Sequence, residues 1–396
     1  MHDAHPGRIW RRPMTARDPE QEHRAATPLE LLFDLCFVVA VSQAAAQLHH
    51  ALGEGHAGSG LIGYAMVFFA IWWAWMNFTW FASAYDTDDA PYRLLTLLQM
   101  AGVLVLAAGV EAAFTQYDFA LITYGYVLMR VAMIAQWLRA AKEHPEGRST
   151  SLRYAGGIAV VQVGWLLRLL LPHPWDYAGF AVLVLAEIAV PAWAELRGRG
   201  TSWHPDHIAE RYGLFTIIVL GEVILGSLNA VQSGFSEHGL SADLVLVAVG
   251  GLVLVFALWW IYFAGQNTRL PSTKIALTWG YAHYLVFAAV AALGAGLEIA
   301  VAVAEHHAHI SERAGAFAVA APVALYLLVM GLLHALTRAG IIATGWIIGA
   351  SIVLVLAAAA AVEALHLGGA VLAMGLVTAA GLALNLVLTH RRAVRG

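Results

Sequence analysis

The sequence predicts an all-α fold, a polytopic transmembrane helix bundle of about twelve spans. Three observations predict it. First, 60% of the 396 residues are apolar and only 12% are charged, with a mean hydropathy of +0.69. Charged residues usually make up about 25% of a soluble chain, and no soluble domain has enough interior to hide this much apolar surface. Second, the apolar residues fall in runs of roughly 20, the length that crosses about 30 Å of hydrocarbon. Third, the basic residues collect at every second break between runs, as the orientation rule for membrane helices requires. The composition excludes an ordinary soluble enzyme and a disordered chain. Cys36 is the only cysteine, so there is no disulfide scaffold, and a net charge of −4 offers no field for nucleic acid.

Taken in order, the first span, 28–52, opens at T-P-L-E and is interrupted by Glu30, Asp34, Ser42 and Gln43. The second, 58–84, carries the aromatic run Trp72–Phe81, which reads as packing and an interfacial belt. The third, 91–113, follows the acidic turn D-T-D-D and enters at Pro91, a good first position for a helix. Spans 117–141, 151–171 and 176–196 hold the internal charges Arg130, Arg168 and Glu187. The seventh, 208–232, starts at Glu210-Arg211 and contains Glu222. Spans 241–265 and 340–363 are the most apolar; 274–301 contains His283 and Glu298, 313–336 contains His334, and 367–390 closes the set.

All but three of the 22 basic residues fall on one side of this layout. The exceptions are Arg313 in an odd-numbered connection and Arg130 and Arg168 inside spans. The layout therefore predicts that both termini are cytoplasmic. Residues 1–27 read as a disordered polar tail, 28–200 and 201–390 as two six-helix halves, and 391–396 as a basic tail. The halves echo one another. Trp75–Thr87 lines up with Phe256–Thr268, and Glu30 opens one half as Glu210 opens the other. Six spans is an even number, so such repeats would share one orientation.

Ionisable groups in hydrocarbon are costly and are functional candidates by default. Glu30 and Asp34 share one helix face, as a cation or proton site at the cytoplasmic mouth; Glu30 also completes a capping box with Thr27. Glu222 lies three turns beyond Glu210, where no cap explains an acid. Asp34, Glu222, Glu30, Glu210 and His283 are thus the transport or ion-binding candidates. Asp86, Asp88, Arg93 and Arg211 are expected to pair at a cytoplasmic gate, although Asp89-Ala-Pro also reads as a simple helix entry. Arg130 and Glu187 share a depth and form the expected structural ion pair, and Arg168 is expected to meet Glu111. His283 and His334 are the histidines placed inside spans. E-H-H-A-H from Glu305 lacks a ligand signature and reads as a polar loop, so a metal site is left unknown. No nucleotide-binding or hydrolase motif is present, and no cofactor is expected.

Three ordered motifs, E-L-L-F-D-L-C-F-V-V-A-V-S-Q from Glu30, D-T-D-D with Arg93, and E-R-Y-G-L-F-T-I-I-V-L-G-E from Glu210, together with Y-A-H-Y from Tyr281, resemble the bacterial low temperature requirement protein A family over residues 27 to 390. The resemblance implies a multi-pass bacterial inner-membrane protein linked by name to growth in the cold, and brings no substrate with it. More distantly, the chain is similar to the potassium channels that carry a Phe-Ser-Asp signature on the first of six helices. Here Phe33-Asp34 lacks the serine, and Leu214 stands where Asp34 would align in the second half. The expected activity is transport or conduction of a small solute or ion through intramembrane carboxylates. The alternatives are an intramembrane enzyme acting on lipid-linked substrates and a non-transporting stress-adaptation scaffold. The expected partners are the lipid bilayer and a small solute or ion, with a homo-oligomer left open.

Overall fold

The computed structural model describes residues 10–19, 21, 24–238, 241–264, 270–337 and 345–393; side chains at 233, 234, 237, 238, 392 and 393 are not described. Arg8, Arg269, Arg338 and Arg395, and residues 265–268 of the echoed segment, lie outside the described residues.

Among the described residues, twelve helices follow the predicted spans one for one. They are α1 (Pro28–Gly53), α2 (Ala57–Tyr85), α3 (Ala90–Thr115, broken at Gly109), α4 (Ala120–Glu143), α5 (Arg148–Arg168), α6 (Trp175–Leu196), α7 (Pro205–His238), α8 (Ala242–Phe263), α9 (Thr273–Ala304), α10 (Glu312–Thr337), α11 (Gly345–Ala360) and α12 (Val362–Ala393). No strand occurs among the described residues. Ten of the twelve are long and apolar enough to cross a membrane. The other two are α5, which carries Arg148, Arg153, Gln162 and Arg168, and α11, which has only 16 residues. In α12 the backbone breaks at His366 (φ 55°, ψ 167°), so the membrane-length segment resumes at the predicted 367.

Local chemistry sets the helix starts. Thr27 and Glu30 form the reciprocal capping box on α1: the Thr27 N–H donates to Glu30 Oε2 at 2.8 Å, and the Glu30 N–H to Thr27 Oγ1 at 3.3 Å. Asp89 caps α3, Ser241 caps α8 and Ser272 caps α9, each accepting a backbone N–H three residues on.

The chain clusters into two compact units. The first is Met1–Gln43 with Met66–Arg211; the second is Ala44–Ala65 with Tyr212–Gly396. The division runs through α1, α2 and α7, whereas the expected halves were 28–200 and 201–390. In the first unit α3 packs on α4, α4 on α5 and α5 on α6. The α3–α4 crossing is close because both faces carry glycine. A Cβ on Gly125 would sit 2.6 Å from the Gly102 carbonyl oxygen, so a side chain there forces the helices apart. In the second unit α9 packs on α10, α10 on α11, α11 on α12 and α8 on α12. The last contact is equally tight, with a Cβ on Gly375 placed 2.8 Å from the Gly250 carbonyl oxygen.

Candidate functional site

In the first unit, two carboxylates of α1 meet a guanidinium and an imidazole of α7. Glu30 and Asp34 are four residues apart, as are His207 and Arg211, so each pair lies along one helix face. Arg211 Nη1 is 2.9 Å from Glu30 Oε1, and Nη2 is 2.5 Å from Asp34 Oδ1. His207 Nε2 is 3.2 Å from Glu30 Oε1, and the Trp75 indole donates to Asp34 Oδ1 at 2.7 Å. Asp34 and Arg211 have no exposed surface and Glu30 has 1%. Arg211 therefore pairs with Glu30 and Asp34, not with the acidic turn. One planar guanidinium bridges two carboxylates on a neighbouring helix, a task its forked donors suit.

The acidic turn belongs to a different set of contacts. Arg93 forms an exposed two-point pair with Asp88, at 2.7 and 2.9 Å, of the kind that contributes little to stability. Asp89 is buried. It accepts from Arg139 at 2.8 and 2.6 Å and from the Arg12 backbone N–H at 2.8 Å. Burial works against its charge, but these bonds win and hold the carboxyl below its ordinary value. The stretch before α1 was expected to be a loose tail. Instead, Met14 donates its N–H to Glu143 at 2.7 Å, Arg17 donates its N–H to the Ala84 carbonyl at 2.9 Å, and Arg24 donates to the carbonyls of Ser83 and Ala82. His204 donates to the Gln21 carbonyl at 2.8 Å, and the Ala26 N–H reaches exposed Glu210 at 3.4 Å. The tail and the connections after α2, α4 and α6 thus meet on one face of the first unit.

Asp86 lies under this strap, its side chain 3% exposed and 3.4 Å from Arg17. Burial, then the charge of Glu30, pushes its carboxyl up to about 6, against the pull of Arg24 and Arg17. A raised folded-state value means the stabilisation is complete while the group is protonated, below its ordinary 3.8, and drains away as pH rises through about 6. Across that window the wild type should lose on the order of 1–3 kcal/mol relative to Asp86→Asn. Thermal melts in detergent from about pH 4 to pH 7 check this; parallel curves for the two proteins would refute it.

Deeper in the first unit, Glu187 of α6 is a hydrogen-bond hub. Its carboxylate accepts from Tyr126 at 2.7 Å, Trp73 at 2.9 Å, and Gln162 and Trp165 at 3.1 Å each. Arg130 Nη2 is 3.7 Å away and donates to the Tyr126 hydroxyl at 2.6 Å. Arg130 and Glu187 are each 1% exposed, and the expected pair is brought together with a tyrosine wedged beside it. Arg168 does not meet Glu111. Its Nε donates to the Asp176 carbonyl at 3.0 Å, and its guanidinium lies over the rings of Phe119 and Phe180, at 5.1 and 5.2 Å.

In the second unit, His283 is 1% exposed and satisfied at both nitrogens. Nδ1 donates to the Trp279 carbonyl at 2.7 Å, which leaves Nε2 to accept from the Tyr262 hydroxyl at 3.1 Å. Glu222 is half-buried, close enough to Glu298 of α9 for their charges to interact. Glu298 in turn lies 3.8 Å from His49 Nδ1 near the end of α1. These last two residues line a cavity of about 330 Å³ with Gly226, Asn229, Glu305 and His307. Glu305 and His307, assigned from sequence to a polar loop, form part of its wall. Among the described residues no group of three His, Cys, Asp or Glu is placed to hold a metal ion.

Sequence reasoning missed His207, because the seventh span was started one residue after it. It also missed the Arg139–Asp89 pair and the cavity. The cavity's signal was present: His49, Glu298 and His307 all fall at the same end of the predicted layout.

The family model described as bacterial low temperature requirement A protein (LtrA) matches residues 25–382. An uncharacterized protein of Rhizobium meliloti (strain 1021) is 26% identical over 303 residues, covering 72% of each chain. The family match begins just before the capping box of α1 and runs into α12, taking in the helical sites above but not the strap residues Arg12–Arg24, and ten of the described helices are long and apolar enough to span a bilayer; this multi-pass membrane protein belongs to the bacterial low temperature requirement A protein family.

Proposed function

We propose that the protein is a transporter or channel for a small solute or ion, with its substrate site in the cavity of the second unit. One observation carries the reading: about 330 Å³ of open space lined by His49, Asn229 and Glu298 of membrane-length helices, and by Glu305 and His307 just after α9. Carboxylates in spans are costly, and helix-locking ones draw guanidinium partners, as Glu30 and Asp34 do with Arg211. Glu298 faces a histidine and open space instead. The lining draws on α1 and α7, the helices that open the two sequence halves. The helix pairings α3–α4–α5–α6 and α9–α10–α11–α12 support a duplicated six-helix plan. With the arginine-rich connections cytoplasmic, the cavity opens at the opposite, outer ends of α1 and α9. Asp34, Glu30, Arg211 and His207 then serve as a lock between α1 and α7. This sealed pairing also favours a second reading, the non-transporting scaffold, in which the cavity has no part.

Flux of protons and small cations into reconstituted vesicles tests the proposal. Glu222→Gln and Glu298→Gln should each cut the flux by roughly tenfold or more while melting as wild type does. Unchanged flux in both variants would overturn the transport reading in favour of the scaffold.

A further inference from the structure

We infer that the cavity of the second unit selects a compact organic cation of the ammonium type, and not a metal ion or an anion. The inference rests on the transport reading only for what happens after binding. The formally charged side chains of the lining are Glu298 and Glu305, and Glu222 adds its charge beside Glu298. Among the described residues the lining contains no arginine or lysine; His49 and His307 carry charge only when protonated. An anion entering this space meets the Glu298 carboxylate, whose nearest basic group is the His49 imidazole. A bare metal ion fails for a different reason. Metals need several ligands converging on one point, and no three candidate ligands converge among the described residues. The space is also large for an ion. At ~30 Å³ per water it holds roughly ten waters, the bulk of a small amine with a few methylenes.

The wall suits such a molecule. Ala230 of α7 and Val301 and Ala302 of α9 give apolar surface for methylenes, while Asn229 and Glu298 give acceptors for an ammonium group. Gly226 positions the key acid. Glu298 Oε1 packs against the bare backbone there, in the space a Cβ would take, so Gly226→Ala displaces the carboxylate without changing any charge. His49, 3.8 Å from Glu298 Oε2, is the partner an ammonium group replaces.

The experiment is ligand-dependent melting and calorimetry on the purified full chain, with n-butylammonium as probe. n-Butanol, butyrate and zinc chloride are the neutral, anionic and metal comparisons. The amine should bind saturably and raise the melting temperature, and butanol and butyrate should not. Glu298→Gln should weaken amine binding by roughly thirtyfold or more, and Gly226→Ala should weaken it too. Binding of zinc or butyrate in preference to the amine, or unchanged amine binding in Glu298→Gln with wild-type melting, would overturn the assignment. The two proposals fail separately. Loss of flux in Glu298→Gln without amine binding sinks the ligand class and leaves transport standing. Amine binding without flux of any probe sinks transport and leaves the site standing.

Discussion

Replacing Arg211 by methionine should destabilise the protein by about 3–5 kcal/mol, because it leaves two buried carboxylates without their shared cation. Glu30 would keep His207 and its capping bonds, and Asp34 would keep only the Trp75 indole among its observed donors. Lysine at 211 should recover only part of the loss, since one ammonium cannot present two forked donors to acids on successive turns. The decisive comparison is a double-mutant cycle with Asp34→Asn. Neutralising Asp34 in the Arg211→Met background should restore stability, whereas the same change in the wild type should cost it. Thermal or denaturant unfolding in detergent reads both. An Arg211→Met protein as stable as the wild type would show that the cluster does not hold α1 to α7.

Glu187→Leu should be at least as damaging. Four donors from α2, α4 and α5 point at this carboxylate, and each buried donor left unsatisfied costs about 1–3 kcal/mol, with Arg130 losing its counter-charge as well. The sum is comparable to the whole stability of an ordinary domain, so the leucine variant should fail to accumulate as folded protein. Glu187→Gln separates shape from charge. It keeps one acceptor oxygen but turns an NH₂ toward indole or guanidinium donors, so an intermediate loss is expected. The fluorescence of Trp73 and Trp165, both bonded to Glu187, provides a local probe beside the melting curve. A leucine variant that folds with wild-type stability would mean that these donors find other partners.

The helices were readable because hydrocarbon thickness imposes a length, and because arginine placement checks the parity of the count. Side-chain partners were readable only where depth alone was decisive. Arg130 and Glu187 sit mid-span and meet. Arg168 and Glu111 also share a depth, yet Arg168 turns to aromatic rings. Depth comes from position along the helix, but the direction a side chain faces comes from how helices pack, and that has no one-dimensional signature here. The same gap explains Arg211, which the order of motifs grouped with the acidic turn and the fold gives to Glu30 and Asp34. It also explains the cavity, whose residues come from α1, α7, α9 and the stretch after α9. The strap before α1 escaped notice because polar, arginine-rich sequence resembles disorder until its backbone donors are seen to end on Asp89, Glu143 and Ala84.

The Asp34–Arg211 bond spans 177 positions of chain, which bears on biogenesis. At roughly 5–20 residues per second, the ribosome delivers α7 many seconds after α1. For that interval the first helix carries two acids into the insertion machinery without Arg211 to bridge them. Slowed translation between the two helices should therefore hinder assembly more than an equal delay after α7.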